Sequence, residues 1–425
     1  MPIKVLIVDD SAFFRKRLSE IIAGDPTLTV VGEAKDGREG VAMTASLHPD
    51  VITMDVEMPV MDGITAVKEI MARNPTPVLM FSSLTTEGAS STMKALEAGA
   101  IDFMPKNFSD IAHRREEAIN ELRSLIKAAS RSRVRARRPL TSASPAASAP
   151  ASSFSTASRS TIARSTVSSG AVGTARNVIA AASTVSSAPA PFASRQTIGE
   201  YDRITNQLGG DPGVPAAARK FTFGDHKTET TAYRKSGVRH SLVAIGSSTG
   251  GPLALQNVIP KLPRLPVPVV IVQHMPATFT KTFAQRLDEI STLHVKEAEN
   301  DEILQPGTVY VAPGGMQMIF ERFGTGCKAK ILKDNGRVSY NPCVDVSFAS
   351  LAQIYGGRVL AMILTGMGSD GCEGCRILKQ RGSVIWAQNE ESCVIYGMPQ
   401  AVVNAGLADL VLPLDELATD IAKEF

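Results

Sequence analysis

The chain has 425 residues, and its 45 lysines and arginines nearly balance 42 aspartates and glutamates. A chain of this length is expected to form two or more domains, and the charge balance argues against a protein built throughout to coat nucleic acid or membrane. The sequence carries neither a secretory signal pattern nor an apolar run near the roughly 20 residues of a membrane helix, so we expect a cytoplasmic protein without membrane insertion.

Residues 1–127 alternate between strand and helix patterns. The predicted strands are Ile3–Val8, Leu28–Gly32, Val51–Met54, Val78–Phe81 and Ile101–Met104. Helical periodicity fills the gaps between them and continues over Glu116–Ala129. These repeated βα units predict an α/β domain with a parallel, doubly wound sheet, which binds its ligands at the carboxyl ends of the strands.

Acidic side chains follow two of these strands. Asp9 and Asp10 come after the first strand and Asp55 after the third, so the three carboxylates would repel one another unless a cation lay among them. Hard oxygen ligands indicate Mg²⁺. Ser82 and Lys106 follow the fourth and fifth strands and can hold an anion opposite the metal. A phosphoryl group on one carboxylate would then be neutralised from both sides.

This layout, together with the run Asp-Val-Glu-Met-Pro-Val-Met-Asp-Gly that starts at Asp55, resembles the receiver domain of bacterial two-component response regulators. The resemblance implies a flavodoxin-like fold with Asp55 as the phospho-acceptor. It also implies a Mg²⁺ site made by Asp9, Asp10, Asp55 and the backbone carbonyl of Glu57. The switch residues it implies are the hydroxyl of Ser82, the aromatic ring of Phe103 and the phosphate-sensing Lys106.

Residues 128–237 have a different composition, with Ser, Ala, Thr and Pro predominating and no sustained apolar period. Such a segment cannot bury enough surface to offset its chain entropy, which predicts a long disordered linker. The basic run Arg131–Arg138 at its start is compatible with DNA or acidic lipid. It lacks interleaved aromatic residues and a helix-turn-helix pattern, so a solvated tether is favoured and no nucleic-acid partner is expected.

The α/β rhythm returns over residues 238–425. The predicted strands are Ser241–Ile245, Val267–Val272, Thr308–Val311, Val359–Leu364 and Ser383–Trp386, with a β-hairpin between Met316 and Leu332. The predicted helices are Leu253–Ile259, Thr280–Ile290, Val344–Tyr355, Cys372–Arg381, Pro399–Ala405 and Leu414–Glu424. This pattern predicts a second doubly wound parallel sheet with a hairpin insertion.

The first strand of this domain runs into Gly246-Ser247-Ser248-Thr249-Gly250, a strand-to-helix turn with the spacing of a nucleophile elbow. Taken alone, such a turn also suits phosphate binding or a plain change of direction. A serine needs a base to take its proton. Of the six histidines, only His274 directly follows a buried-looking parallel strand, so it is expected at the same sheet edge as Ser248.

Asp370 follows the strand Val359–Leu364 within a glycine-rich turn. It is suited to hold the tautomer of an imidazole, and equally to cap the helix that follows it. The N–H of Met367 in the same turn is a candidate oxyanion donor. The chain order Ser248, His274, Asp370 differs from the Ser, Asp, His order of ordinary α/β-hydrolases.

The combination of these motifs resembles the catalytic domain of the CheB type of response regulator, the chemotaxis protein-glutamate methylesterases. The resemblance implies a Rossmann-like domain in which Ser248 is the nucleophile, His274 the base and then the acid, and Asp370 the orienting carboxylate. Thr249 and Met367 would lie beside the reacting carbonyl. No cofactor is expected for the hydrolase chemistry.

The implied function is hydrolysis of glutamate γ-methyl esters on the cytoplasmic helices of chemoreceptors, with deamidation of glutamine side chains as a second activity. Phosphorylation of Asp55 by a chemotaxis histidine kinase would release a receiver that otherwise covers the cleft at Ser248. The long linker should weaken this closure, which predicts appreciable basal activity. Two alternatives stay open at this stage: a regulator that acts by partner binding, and one that acts on another acyl substrate in a non-chemotaxis signalling array.

Cys372 and Cys375 have a spacing that also occurs in zinc and redox sites. No second Cys/His pair accompanies them, so packing is the favoured interpretation. The odd set of five cysteines suits a reducing compartment better than a disulfide framework.

Overall fold

The computed structural model describes residues 1–106, 115–131, 195–209 and 230–425, which carry two parallel β-sheets. The first sheet has the strand order β2-β1-β3-β4-β5. Its strands are β1 (Ile3–Val8), β2 (Leu28–Ala34), β3 (Val51–Asp55), β4 (Val78–Ser82) and β5 (Asp102–Pro105). The helices around it are α1 (Ala12–Ala23), α2 (Gly37–Leu47), α3 (Gly63–Arg73), α4 (Thr86–Ala98) and α5 (Arg115–Ala129).

The strands of this sheet are apolar because both of its faces are covered by helices. All five residues of β3 and of β4 are buried. Polar side chains start the helices that follow them: Asp62, for example, accepts a hydrogen bond from the N–H of Thr65 at 2.8 Å. The predicted doubly wound fold of this half is confirmed.

The second sheet has seven parallel strands in the order β14-β13-β12-β6-β7-β9-β8. In chain order the strands of this half are β6 (Leu242–Ser247), β7 (Val269–Gln273), β8 (His294–Glu297), β9 (Thr308–Val311), β10 (Gln317–Phe323), β11 (Gly326–Leu332), β12 (Val359–Ile363), β13 (Val384–Gln388) and β14 (Leu410–Leu412). Strands β10 and β11 form a separate antiparallel hairpin, as the sequence predicted.

A helix, α6 (Arg195–Gly209), lies within the segment predicted to be a disordered linker. The structure differs from the prediction here because Tyr201, Ile204 and Leu208 recur every three or four residues and form an apolar stripe. Tyr201 and Ile204 are buried against the hairpin and helix of the half of the chain that carries the second sheet. The arginine run at 132–138 and the other undescribed parts of the linker lie outside the described residues.

The remaining helices surround the second sheet. They are α7 (Gly251–Val258), α8 (Ala277–Ile290), α9 (Val344–Tyr355), α10 (Cys372–Gln380), α11 (Met398–Asn404) and α12 (Leu414–Glu424). Within the described ranges, none of the helices has the length and apolar character needed to cross a bilayer.

Candidate active site

The three residues of the predicted triad follow neighbouring strands at one edge of the second sheet. Strand β6 lies between β7 and β12, and the chain leaves it first towards β7 and returns later on the side of β12. The carboxyl ends of strands at such a switch point border a crevice where ligands bind. Ser248 follows β6, His274 follows β7, and Asp370 lies in the loop after β12.

Two serines stand side by side at the end of β6, and their environments differ. Ser247 is fully buried, and its hydroxyl donates to Oε1 of Gln273 at 2.6 Å. Ser248 is partly exposed, and its N–H donates to the carbonyl of Thr365 at 3.1 Å. Of the two hydroxyls, therefore, only that of Ser248 is open to a substrate.

Gln273 holds the turn that carries Ser248 against the strand end that carries His274. Its buried amide donates from Nε2 to the carbonyl of Ser248 at 2.9 Å and to that of His274 at 3.0 Å. The N–H of His274 in turn donates to the carbonyl of Ser247 at 3.1 Å. We did not predict a role for Gln273 from the sequence, although a fully apolar strand that ends in a glutamine was a usable signal.

Glycines allow the surrounding turns to close on Ser248. Gly250 has a φ of +75°, in the left-handed region. A Cβ on Gly251 would lie 2.0 Å from Oε1 of Gln273, and a Cβ on Gly366 would lie 2.9 Å from the Cβ of Ser248. A larger residue at either position would push the two loops of the site apart.

His274 and Asp370 are joined by a hydrogen bond of 2.7 Å between Nε2 and Oδ2. The other partners of the Asp370 carboxylate are also donors: the backbone N–H groups of Val344 (2.7 Å), Asp345 (3.0 Å) and Gly371 (3.0 Å) and the thiol of Cys343 (3.2 Å). Burial by itself would raise the pKa of Asp370, but the bonds from His274 and from the start of α9 outweigh burial and lower it. The carboxylate is therefore ionised and suited to stabilise a charged imidazole.

The second ring nitrogen of His274 is available for proton transfer. Nδ1 is buried and has no hydrogen-bond partner within the described part of the chain. Since Nε2 is bonded to Asp370, Nδ1 is the atom left to accept the proton of Ser248. Among the described residues, no hydrogen bond joins the Ser248 hydroxyl to His274; such bonds are often long until a substrate binds.

The two residues predicted to lie beside the reacting carbonyl belong to turns that meet at Ser248. The carbonyl of Thr249 accepts a hydrogen bond from the hydroxyl of Thr365 at 2.9 Å. Met367 is partly exposed and precedes Gly368, which has a φ of +85°. In the described part of the chain no backbone acceptor takes the N–H of Met367, which is thus free to face a substrate oxygen.

A second carboxyl, that of Asp345, lies next to Asp370. Its Oδ1 accepts a hydrogen bond from the N–H of Gly374 at 2.7 Å. Burial, and then the charge of Asp370, raise the pKa of Asp345 well above its ordinary value. Of the two neighbouring carboxyls, Asp345 therefore holds a proton more readily, and Asp370 is the one that is ionised first.

Cys372 and Cys375 are buried in the same apolar cluster as Val344 and Phe348. Burial raises the pKa of Cys372 to about 12 and that of Cys375 well above its ordinary value. Thiols in such surroundings are poor ligands and poor nucleophiles. Their placement fits the packing role that the sequence favoured.

The receiver half brings its predicted acidic residues together. Ligand oxygens of Asp9, Asp10 and Asp55 lie within 4.8 Å of one another. Lys106 Nζ lies 2.9 Å from Asp9 and 2.5 Å from Asp55. Burial raises the pKa of Asp55 to about 6 in spite of that lysine. A cluster of hard oxygen ligands with excess negative charge fits a divalent cation such as Mg²⁺.

Two of the predicted switch residues, Ser82 and Phe103, contact groups other than Asp55. The buried hydroxyl of Ser82 donates to the carbonyl of Gly88 at 3.1 Å. The ring of Phe103 stacks on that of Phe279 in α8, with 4.6 Å between centroids and 12° between planes. Glu57 is exposed, and its N–H lies 3.4 Å from Oδ1 of Asp55.

Two further contacts join the receiver to the catalytic half. Oδ2 of Asp102 accepts a hydrogen bond from the N–H of Gly250 at 3.2 Å, two residues beyond Ser248. Glu97 of α4 forms an ion pair with Arg286 of α8. The receiver thus contacts the turn that carries Ser248 through Asp102, the neighbour of the predicted switch residue Phe103.

Comparisons with known proteins agree with this arrangement. Residues 5–115 match the response regulator receiver domain, and residues 243–421 match the CheB methylesterase family. Relatives of similar length are called protein-glutamate methylesterase/protein-glutamine glutaminase. The region of similarity covers 100% of this chain and 99% of each relative. Examples come from Shewanella frigidimarina (46% identical) and Pseudoalteromonas translucida (47%), and one numbered 2 comes from Photobacterium profundum (49%).

The fold and the matches define a response regulator whose output domain is an enzyme. The chain belongs to the CheB family of protein-glutamate methylesterase/protein-glutamine glutaminases.

Proposed function

We propose that this protein hydrolyses glutamate γ-methyl esters with Ser248, His274 and Asp370. The observation that carries the proposal is the His274–Asp370 hydrogen bond of 2.7 Å at the end of the strand beside Ser248. Among the described residues it leaves Nδ1 of His274 without a hydrogen-bond partner, at the sheet edge where the accessible Ser248 also lies. The family of the chain favours this reading over regulation by partner binding alone.

The reaction begins when Ser248 Oγ attacks the ester carbonyl carbon and its proton passes to His274. The charge that develops on the carbonyl oxygen is stabilised by the N–H of Met367, and one such donor is typically worth about 10²–10³ in rate. The proton on His274 then goes to the methoxy oxygen, and methanol leaves. Water attacks the acyl-Ser248 ester, again with His274 as base, and releases the glutamate side chain and the free serine.

The same steps release ammonia from a glutamine side chain, because the leaving nitrogen takes its proton from His274 in the way that methanol does. Thr249 borders the reacting carbonyl on the other side of Ser248. The triad itself calls for no metal or organic cofactor, since the base, the nucleophile and the oxyanion donor are all protein groups.

We further propose that Asp55 is phosphorylated by a chemotaxis histidine kinase and controls access to Ser248. Mg²⁺ held by Asp9, Asp10, Asp55 and the carbonyl of Glu57 would neutralise the charge of the phosphoryl group as it is transferred. Lys106 is already beside Asp55 and would pair with the bound phosphoryl group. Ser82 and Phe103 would then turn towards Asp55, which removes the Phe103 ring from Phe279.

The substrates are methyl-accepting chemoreceptors, and the proposed location is the cytoplasm, where their modified helices lie. Movement of the receiver would free the Gly250 N–H from Asp102 and uncover the turn at Ser248. A shift from 1:99 to 99:1 between closed and open forms requires about 5.5 kcal/mol of differential stability. No nucleic-acid partner and no membrane insertion enter this scheme.

Methanol release from methylated receptor tests the proposal, with the wild type, Ser248→Ala and Asp55→Ala each assayed with and without a small phosphodonor. We expect Ser248→Ala to lose release in both conditions. Asp55→Ala should keep the basal rate and lose its stimulation. Release by Ser248→Ala at the wild-type rate would exclude the mechanism.

A further inference from the structure

We propose that Tyr340 positions the imidazole of His274, and that the linker helix α6 holds the loop that carries Tyr340. The inference rests on the proposed role of His274 as the base. It assigns a function to a tyrosine outside the predicted triad and to a helix within the predicted linker.

Tyr340 covers one face of the catalytic imidazole. The two ring centroids are 4.2 Å apart, and the planes differ by 9°. The hydrogen bond to Asp370 fixes Nε2 of His274 but leaves the ring able to tilt about that atom. A stacked ring prevents this tilt and keeps Nδ1 directed towards the end of β6. The negative face of an aromatic ring also favours the positive imidazole that forms during the reaction.

The backbone beside Tyr340 is fixed by a buried glutamine in the hairpin. Gln317 is fully buried in β10. Its Nε2 donates to the carbonyl of Tyr340 at 2.6 Å and to Oδ1 of Asn341 at 2.5 Å, and its Oε1 accepts from the N–H of Cys343 at 3.0 Å. One amide group therefore holds both sides of the short segment that places the tyrosine over His274.

Helix α6 binds the earlier part of the same loop through polar contacts. Asn335 Nδ2 donates to Oδ1 of Asp202 at 3.0 Å, and Arg337 pairs with the same carboxylate at 3.2 Å. The hydroxyl of Tyr201 donates to Asp334 at 3.4 Å. Asp202 and Arg337 are both more than a third exposed, so this ion pair contributes little energy and mainly sets the position of the loop.

The stronger attachment of α6 is apolar. Tyr201 and Ile204 are 3% and 1% exposed, and they form one cluster with Leu332, Cys343 and the partly buried Val338. Val338 is two residues before Tyr340. Cys343 donates its thiol to Asp370. The helix thus packs against the loop at Val338 and against Cys343, whose thiol donates to Asp370.

These contacts link α6 to His274 through the loop: α6 packs on Val338, and Tyr340, two residues later, stacks on His274. If α6 separated, Val338 would lose the part of its cover that Tyr201 and Ile204 supply, and the loop would keep its attachments to Gln317 and to the N–H of Gly315 but lose those to α6. Tyr340 would then leave the face of His274 for part of the time. A misplacement of the base by about 1 Å can cost on the order of 10²-fold in rate, so a partial loss of stacking should lower kcat.

Steady-state methanol release by the full-length protein, measured with phosphodonor present, tests both parts. We expect Tyr340→Ala to lower kcat about tenfold with little change in KM, and Tyr340→Phe, which keeps the ring, to restore most of that loss. Ile204→Asp should reproduce the Tyr340→Ala defect. Ile198→Asp is the matched control, because Ile198 is on the same helix but 46% exposed, and it should match the wild type.

Proton NMR of the His274 ring gives a readout that does not depend on turnover. Loss of the stacked ring in Tyr340→Ala should move the imidazole proton resonances downfield, and Ile204→Asp should move them in the same direction. Unchanged resonances and kcat in Tyr340→Ala would overturn the role of Tyr340. Ile204→Asp that behaves like Ile198→Asp would overturn the role of α6. If the wild type released no methanol, the proposed function would fail, while the spectra would still decide on the stack.

Discussion

The pKa values of the neighbouring carboxyls Asp345 and Asp370 are shifted in opposite directions, and their surroundings explain the difference. Asp370 receives five hydrogen bonds, and all of them come from donors. Asp345 receives one from Gly374 and has the charge of Asp370 beside it. A proton shared by this pair is therefore favoured on Asp345, and the negative charge is favoured on Asp370, beside His274.

An amide at position 345 should reproduce the protonated acid. In Asp345→Asn, the carbonyl oxygen can accept from Gly374 and the NH₂ group can donate towards Asp370. We expect kcat for methanol release within about threefold of the wild type, since a neutral hydrogen-bonding group replaces another. Asp345→Ala should lose about 1–3 kcal/mol in the free energy of unfolding, because it leaves the Gly374 N–H buried without a partner.

Urea unfolding and methanol release, applied to both variants, check this expectation. The sign of the pH dependence follows from the raised pKa of Asp345: its contribution to stability is present below the ordinary pKa of aspartate and lost as the pH rises through the raised value. Asp345→Asn should abolish that loss. If Asp345→Asn lost as much stability and activity as Asp345→Ala, Asp345 would act as a charged group.

At the scale of elements, α4 and α8 form much of the contact between the receiver and the catalytic half. Their ion pair, Glu97 with Arg286, has side chains 34% and 30% exposed. Exposed pairs of this kind are worth about 0.2–1 kcal/mol. The stacked rings of Phe103 and Phe279 lie in the same contact. A modest loss of docking energy should therefore appear as a higher basal activity.

Charge reversal tests this contact. Glu97→Lys places a positive charge against Arg286 and should raise methanol release by the unphosphorylated protein about two- to fivefold. The double variant Glu97→Lys, Arg286→Glu should return the rate towards the wild-type value. Glu39→Lys is the matched control, since it makes the same charge change on α2, where Glu39 pairs with Lys35. Equal basal rates in Glu97→Lys and Glu39→Lys would contradict a docking role for this pair.

Buried elements in the interior of a sheet or against its face were predictable from the sequence, and several edge or exposed elements were not. Strands β1 and β9 and helices α9 and α12 have the predicted bounds because their apolar periods are unbroken. The edge strand β14 has only three residues, too few for a period that would distinguish it from a loop. Helix α6 was missed because its stripe lies within a long Ser- and Ala-rich stretch.

The candidate site shows the same limit. Strand ends alone predict that Ser248, His274 and Asp370 share an edge, because parallel strands present their carboxyl ends together. Tyr340 approaches His274 from a loop that follows the hairpin, and no periodicity predicts such an approach. The contact of Asp102 with Gly250 depends on how two separately folded sheets dock, which strand and helix patterns do not determine.

At the scale of the whole molecule, docking of the receiver is linked to a proton on Asp102. Burial, assisted by the charge of Glu121, raises the pKa of Asp102 to about 7. In the separated domains this carboxyl should return towards its ordinary value. Its contribution to docking is thus fully present below the ordinary pKa of aspartate and is lost as the pH rises through about 7.

We expect the basal activity of the unphosphorylated protein, expressed relative to the phosphorylated protein at the same pH, to increase as the pH rises through about 7. Above that value the docking constant should fall by at most about tenfold per pH unit, because one proton is involved. The ratio in Asp102→Asn should be flat, since asparagine does not titrate. A slope that persists in Asp102→Asn would assign the effect to another group.

Acyl-enzyme trapping is the most direct test of the site as a whole. The protein is mixed with a peptide that carries a glutamate γ-methyl ester, quenched in acid, digested and analysed by mass spectrometry. We predict the peptide acyl group on Ser248, absent in Ser248→Ala and strongly reduced in His274→Ala. An adduct on Ser247 or on any other residue would contradict the account. So would a Ser248→Ala variant that hydrolyses the ester at the wild-type rate.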